Sequence, residues 1–287
     1  MASMTAMGRT LSVVSLFAGL VAAGPVRAAG ALDFYYERSL MAEAGARCGL
    51  FPPPIEAALA AAALQARGAA LRAGLDEPEV RSALNRASAT ARTVACDSRD
   101  LAVAAQRVRT AFDSWAKVTR IVYPGRGGGW AADRAVYSSP SWRLMASGGA
   151  GLSFGLAGAR GAADPVAVVA VAGEAEAPYA ARLVFRDAGR SPQAWLPRPG
   201  APALPPPETL RTVFAAGLSP APPTLTHGVK TSLAFRFPPE VAGALAGLDP
   251  RESFALELLY SGGRVRTAEI EVGDFAAGRA FLTAGWR

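Results

Sequence analysis

The chain has 287 residues, a formal charge of +7 and 18% charged side chains, against a usual ~25%. Two Cys and one His exclude a disulfide-dense miniprotein, a Cys-ligated zinc domain and a multi-histidine metal site, so no metal and no cofactor is expected. The apolar content excludes a disordered polyelectrolyte.

Residues 1–28 read as a secretory signal peptide. Arg9 supplies the positive start, 11–24 (LSVVSLFAGLVAAG) is the apolar stretch, and Pro25 breaks it. Val26 and Ala28 suit a cleavage site after Ala28. The apolar stretch is too short for a ~30 Å hydrocarbon core, which needs about 20 residues. No Cys follows it, so a lipid anchor is not expected. The expectation is a periplasmic or secreted protein that does not span the membrane. In an oxidising compartment, Cys48 and Cys96 are expected to form a disulfide. Closing a loop of about 49 residues stabilises by roughly 4 kcal/mol in the chain-entropy model.

Residues 29–119 read as an antiparallel helical bundle. In 32–47, Tyr36, Leu40, Ala44 and Cys48 recur every four positions. Gly49 and the prolines 52–54 stop that helix. The next, 54–72, offers a mostly Ala face with Ile55, Leu59, Leu64 and Leu71. Asp76, Pro78 and Glu79 carry the pattern of a capping box for a third helix. A fourth follows Asp97 and Ser98, with Leu101, Ala105, Val108, Phe112 and Trp115 as its apolar stripe. The first and third helices end at the same pole of such a bundle, which suits Cys48 with Cys96.

Beyond 120 the period shortens. The segments 120–123, 141–146, 166–172, 180–187, 231–237, 254–260 and 266–272 read as strands between Gly and Pro clusters. That rhythm predicts an antiparallel β-sandwich-like domain over 120–287, and an α+β fold for the whole chain. A Pro-rich insertion at 192–223 reads as an extended crossing, with a short helix at 209–217. An internal repeat links 235–248 (FRFPPEVAGALAGL) to 269–282 (EIEVGDFAAGRAFL), each read as strand, turn and short helix. On this duplication, 231–284 resembles the exported alphaproteobacterial β-sandwiches of the invasion-associated locus B kind. The resemblance implies an envelope β-sandwich and carries over no functional residue. Those proteins carry cysteines in the sandwich, and this half has none.

Three motifs could carry chemistry. Gly151-Leu152-Ser153-Phe154-Gly155 matches the nucleophile-elbow pattern, with Asp164 or Asp187 and then His227 in hydrolase order. The elbow needs a strand before Ser and a helix after it, and the residues after Gly155 make a poor helix start. The glycine run 125–129 with Arg126 and Trp130 reads first as a flexible connection between the halves, with Trp130 packing back. If it binds anything, Arg126, Trp130, Tyr137 and Trp142 are the candidate ligand-binding residues, meeting a sugar or anion by stacking and charge. Glu269 and Glu271 alternate with Ile270 and Val272, which reads as a solvated strand face. Lys117 and Lys230 are the only lysines, and the arginines are spread without a basic run, so the charge reads as compositional bias and no nucleic-acid partner is expected.

The expected function is therefore an exported, non-enzymatic envelope protein that binds or scaffolds a periplasmic partner, an envelope protein or a polysaccharide. The alternatives are a carbohydrate or peptidoglycan-binding module, and a serine hydrolase using Ser153 and His227. The first expects an apolar or aromatic groove between the halves. The module expects Trp130, Tyr137 and Trp142 on one exposed face.

Overall fold

The computed structural model describes residues 28–125, 128–135, 138–171, 177–196, 200–226, 228 and 231–284. The expected signal peptide, apart from Ala28, lies outside the described residues. So do Arg126, Tyr137 and His227. Helices come first and antiparallel sheets follow, an α+β arrangement.

Four helices open the chain: α1 Ala28–Cys48, α2 Pro53–Arg72, α3 Glu77–Thr93 and α4 Arg99–Trp115. Their start signals work as the sequence implies. The Asp76 carboxylate accepts from the Glu79 N–H at 2.8 Å, and the Glu79 carboxylate accepts from the Asp76 N–H at 2.9 Å. Ser98 caps α4 by accepting from the Leu101 N–H at 3.2 Å. Cys48 and Cys96 are placed as a disulfide with their Cα atoms 5.5 Å apart. Cys96 sits just beyond α3 rather than within it.

Among the described residues, eleven strands follow in two antiparallel sheets, with two short α-helices. They are β1 Arg120–Pro124, β2 Gly129–Asp133, β3 Ser141–Gly149, β4 Leu152–Ala159, β5 Ala162–Ala170, β6 Ala180–Arg186, β7 Leu210–Phe214, β8 Gly217–Pro220 and β9 Ser232–Arg236. Then come α5 Glu240–Ala246, β10 Ser253–Leu259, β11 Val265–Glu271 and α6 Phe275–Thr283. The larger sheet runs β1-β2-β3-β4-β5-β9-β8 and the smaller β11-β10-β6-β7. The duplicated segment is realised as β9–α5 and β11–α6.

Three expectations change. The glycine run is no connection between halves: its described residues lie between the paired strands β1 and β2, where the Gly125 N–H donates to the Gly128 carbonyl at 2.7 Å. The segment expected as a helix at 209–217 is strand β7 and the lead into β8. Prolines tolerate this because β7 and β8 are the edges of their sheets, where one side of the backbone needs no ladder partner. Strand β4 was hidden by its glycines. Gly155 lies so close to β3 that a Cβ there would stand 1.9 Å from the Leu144 carbonyl oxygen.

The helices do not bury their faces alone. One apolar core runs from Leu59, Leu101 and Phe112 through Phe154 of the larger sheet to Phe254 of the smaller. The Phe154 and Phe254 rings meet edge to face at 5.2 Å, and Trp115 of α4 meets Phe281 of α6 at 5.4 Å. Side chains from small Ala-rich helices bury little area each, so the sheets supply the bulk that closes this core.

Buried ion pairs fix the loops around it. Arg186 is 4% exposed and Glu252 2%, and they bond through two hydrogen bonds of 2.6 and 2.7 Å. Glu252 also accepts from the Trp195 and Asp249 N–H groups at 3.0 and 2.9 Å. Trp195 opens the Pro-rich segment, so this carboxylate ties that segment to the start of β10. Arg186→Met is expected to cost about 3–5 kcal/mol, because it strands a buried carboxylate. Arg186→Met/Glu252→Leu recovers only part of that, since two backbone N–H groups lose their acceptor. Urea denaturation of the three proteins measures both steps, and a double variant as weak as the single one contradicts this account.

Candidate functional site

A crevice of ≈ 50 Å³ lies beside the β1–β2 hairpin. Gly125, Gly128 and Gly129 line one side, and Glu269, Glu271 and Ser147 the other. Ile270, Ala146 and Trp130 close its base. The turn sequence makes this possible. A Cβ on Gly129 would stand 2.3 Å from the Tyr123 carbonyl oxygen, so only glycine admits the close hairpin. Glu269 and Glu271 reach the crevice from one face of β11, as their spacing of two requires. Glu269 is exposed and Glu271 is half-buried. Two carboxylates and bare glycine backbone suit donors, such as hydroxyls or an ammonium group.

Trp130 does not offer a stacking face there. It is 2% exposed, its indole N–H donates to the Glu271 carbonyl at 3.2 Å, and its ring meets Phe275 at 5.0 Å and Phe154 at 6.5 Å. Trp142 is also buried, and its indole N–H donates to the Leu225 carbonyl at 3.1 Å. The two belong to separate apolar clusters. Trp130 lies in the main core, and Trp142 lies with Val166, Val168 and Ala234. The exposed face expected of Trp130 and Trp142 is thus corrected: both indoles serve packing, each with its N–H satisfied by backbone. Arg126 and Tyr137, the remaining members of that set, lie outside the described residues.

Ser153 is the second residue of β4, opposite Ser147 of β3 and Val168 of β5. No strand-to-helix turn is present at this serine, and its two flanking glycines serve a hairpin turn and a close strand contact. The elbow pattern is therefore a strand. His227 lies outside the described residues.

A second crevice, ≈ 10 Å³, was not singled out by any motif. It lies where α1 and α2 meet the end of α4 and β1, lined by Arg38, Ala61, Ala62, Gln65, Trp115, Ile121 and Tyr123. Arg38 is 8% exposed and donates from Nη1 to the Ala62 carbonyl at 2.8 Å. Its Nε–H is buried and has no partner. Arg134 is 5% exposed and packs on Trp115. Its guanidinium lies 4.4 Å from the Trp115 ring and 3.7 Å from that of Phe281, and donates to the carbonyls of Trp115 and Val118. Burial pushes both guanidinium groups down to about 10, with Glu37 opposing the shift at Arg38 and Tyr123 at Arg134. Burial likewise holds the Tyr123 hydroxyl well above its ordinary range. A lone arginine at position 38 of an Ala-rich helix carries no signal of this in sequence, because its neighbours come from four separate elements.

Among the described residues, no group of three or more His, Cys, Asp and Glu side chains could hold a metal ion. No described helix is long and apolar enough to cross a membrane. Among known proteins, no family model, curated protein or solved structure matches the chain.

The packing of Trp130 gives a clear expectation. Trp130→Ala costs about 3–5 kcal/mol of stability, as for a large buried aromatic. A loss below about 1 kcal/mol in a denaturation midpoint shows instead that the ring is dispensable to the core and free to serve a ligand.

Proposed function

We propose that this chain is an exported, non-enzymatic cell-envelope protein that binds or scaffolds a protein partner in the periplasm. In the finer architecture we infer, an antiparallel helical bundle stapled by Cys48 and Cys96 is docked onto a β-sandwich. The observation that carries the reading is a corner of exposed apolar side chains where the chain passes from one sheet to the other. Phe214 ends β7 at 52% exposure, and Leu218 on β8 is 47% exposed. Tyr179, just before β6, is 64% exposed and lies level with that crossing in the register of β6 and β7. Clustered aromatic and aliphatic groups on a rigid body are the ordinary anchors of protein interfaces. The outer edges of β7 and β8 also leave backbone groups for an added strand. Pro205, Pro206, Pro207 and Pro220 bracket this edge and limit indiscriminate pairing. Export is supported by the apolar, cleavable-looking start at 1–28 and by the paired cysteines. The strand–turn–helix duplication at 231–284 is the feature shared with exported β-sandwiches of the invasion-associated locus B kind.

A second reading, a carbohydrate or peptidoglycan-binding module, draws support from the crevice beside the β1–β2 hairpin. Glu269 and Glu271 there could accept hydrogen bonds from sugar hydroxyls, although its volume admits one substituent rather than a ring.

The test is site-specific photo-crosslinking in cells that express the full chain, with the crosslinker at 214 and 218. One discrete protein adduct in the envelope fraction is expected, lost in Phe214→Asp/Leu218→Asp with an unchanged melting temperature. The absence of an adduct, or retention of the chain in the cytoplasm with Cys48 and Cys96 reduced, overturns the proposal. A glycan adduct instead favours the second reading.

A further inference from the structure

We propose that the crevice between α1, α2, α4 and β1 is a binding site for one halide-sized anion, chloride in ordinary solution, held by the Arg38 guanidinium. Arg38 and Arg134 are two buried cations, and among the described residues neither makes a salt bridge with a carboxylate. Each keeps one buried N–H without an acceptor, Nε of Arg38 and Nη1 of Arg134. A buried charge without a counter-charge is strongly disfavoured, and an isolated N–H adds its own desolvation cost. Elsewhere in this chain the same problem is solved with a carboxylate, at Arg72 with Asp274 and at Arg186 with Glu252.

The nearest acid, Glu37, precedes Arg38 on α1, and adjacent helix positions point in directions about 100° apart. Burial first, and then Asp33, push the Glu37 carboxyl above its usual range while Arg38 pulls it down, so the two charges feel each other through space. The Glu37 Oε2 and the Arg38 Nε are nevertheless both buried without a hydrogen-bond partner. No carboxylate lines the crevice.

The walls supply the rest of a small anion site. Gln65, whose amide carries two N–H donors, lines the same crevice as Arg38, whose Nε–H has no partner. The Tyr123 hydroxyl lies 3.5 Å from the Ala277 carbonyl, at the outer limit of a hydrogen bond, so it can turn its proton to a better acceptor. Trp115, Ile121, Ala61 and Ala62 make the remaining surface apolar, which suits a weakly hydrated monatomic ion. Size then selects. A volume of ≈ 10 Å³ is about one water-sized sphere, too small for phosphate, sulfate or a sugar acid. The ion would join helices to sheets at a point where only side chains of opposite origin meet.

The test uses the full-length mature protein in sodium chloride, sodium bromide and sodium gluconate at one ionic strength. Chloride and bromide are expected to raise the melting temperature saturably by about 2–4 °C over gluconate. Arg38→Met is expected to abolish that difference. If the variant does not fold, the wild-type protein decides alone: crystals grown in bromide should show an anomalous peak against Arg38 Nε. A peak there upholds the site. A crevice holding only water, or equal melting temperatures in all three salts, overturns it.

Discussion

The helices and sheets of this protein are held in one arrangement by a buried fork between Arg72 and Asp274. The guanidinium of Arg72, in the last turn of α2, donates to both oxygens of Asp274 at 3.0 and 2.5 Å. Asp274 is 4% exposed and opens α6, so the pair fastens the second helix of the chain to its last. The approach is possible because position 68 has no side chain. A Cβ on Gly68 would stand 2.6 Å from Asp274 Oδ1. A glycine inside a helix costs about 1 kcal/mol against alanine, and here it makes room for a charge-assisted bidentate contact. Arg251 repeats the link nearby: it chelates Asp249 at 3.0 Å and donates to the Leu75 carbonyl at 3.1 Å. Both contacts run between the helical half and the C-terminal region, the first to α6 of the second repeat and the other to the stretch between the two repeats, so that region acts as the seat on which the helices rest.

That seat explains why a protein rich in alanine can support two sheets. Alanine faces let α1, α2 and α3 approach closely but bury little surface per side chain. The heavy groups of the core come mostly from β4, β10 and α6, where Phe154, Phe254 and Phe281 are fully buried. The helices add Trp115 and Phe112 at the end nearest the sheets. Phe112 stands 6.1 Å from Trp115, and Trp115 packs on Phe281, so one aromatic chain crosses the junction. Directional forks then set the geometry that a soft alanine surface leaves undetermined.

The helical half was legible in the sequence because its signals are local. The Asp76–Glu79 capping box, the glycine at 49 and the four-residue spacing of Tyr36, Leu40, Ala44 and Cys48 all act within one or two turns. The sheets were legible only where β-branched and aromatic residues alternate, as in β6 and β9. Strands β2, β4, β7 and β8 escaped because glycine and proline are read as breakers. In β7 and β8 the edge position removes the need for a partner on one side. In β4, Gly155 is required by a close strand contact. The tryptophans allowed both readings, Trp130 packing back or exposed with Trp142, because an indole beside a glycine run looks the same in sequence whether it faces solvent or core. Trp130 faces the core because β2 pairs with β3 and turns it toward Phe154 and Phe275. Arg38 was invisible altogether, since nothing within its own helix marks it.

The arginine content, which reads as mere bias along the chain, divides in space into two physical classes. Arg72, Arg186 and Arg251 meet carboxylates through planar forks, a geometry that lysine cannot reproduce. Arg38 and Arg134 meet backbone carbonyls and the faces of Phe34, Trp115 and Phe281. An aromatic face attracts a cation through its quadrupole but carries no net charge, so it screens a buried guanidinium without neutralising it. The first class needs nothing more from its surroundings. The second leaves positive charge inside the junction of helices and sheets, and part of the chain's basic balance is therefore an interior property. A polyanion on the surface could not answer it. A small acceptor able to enter the junction could.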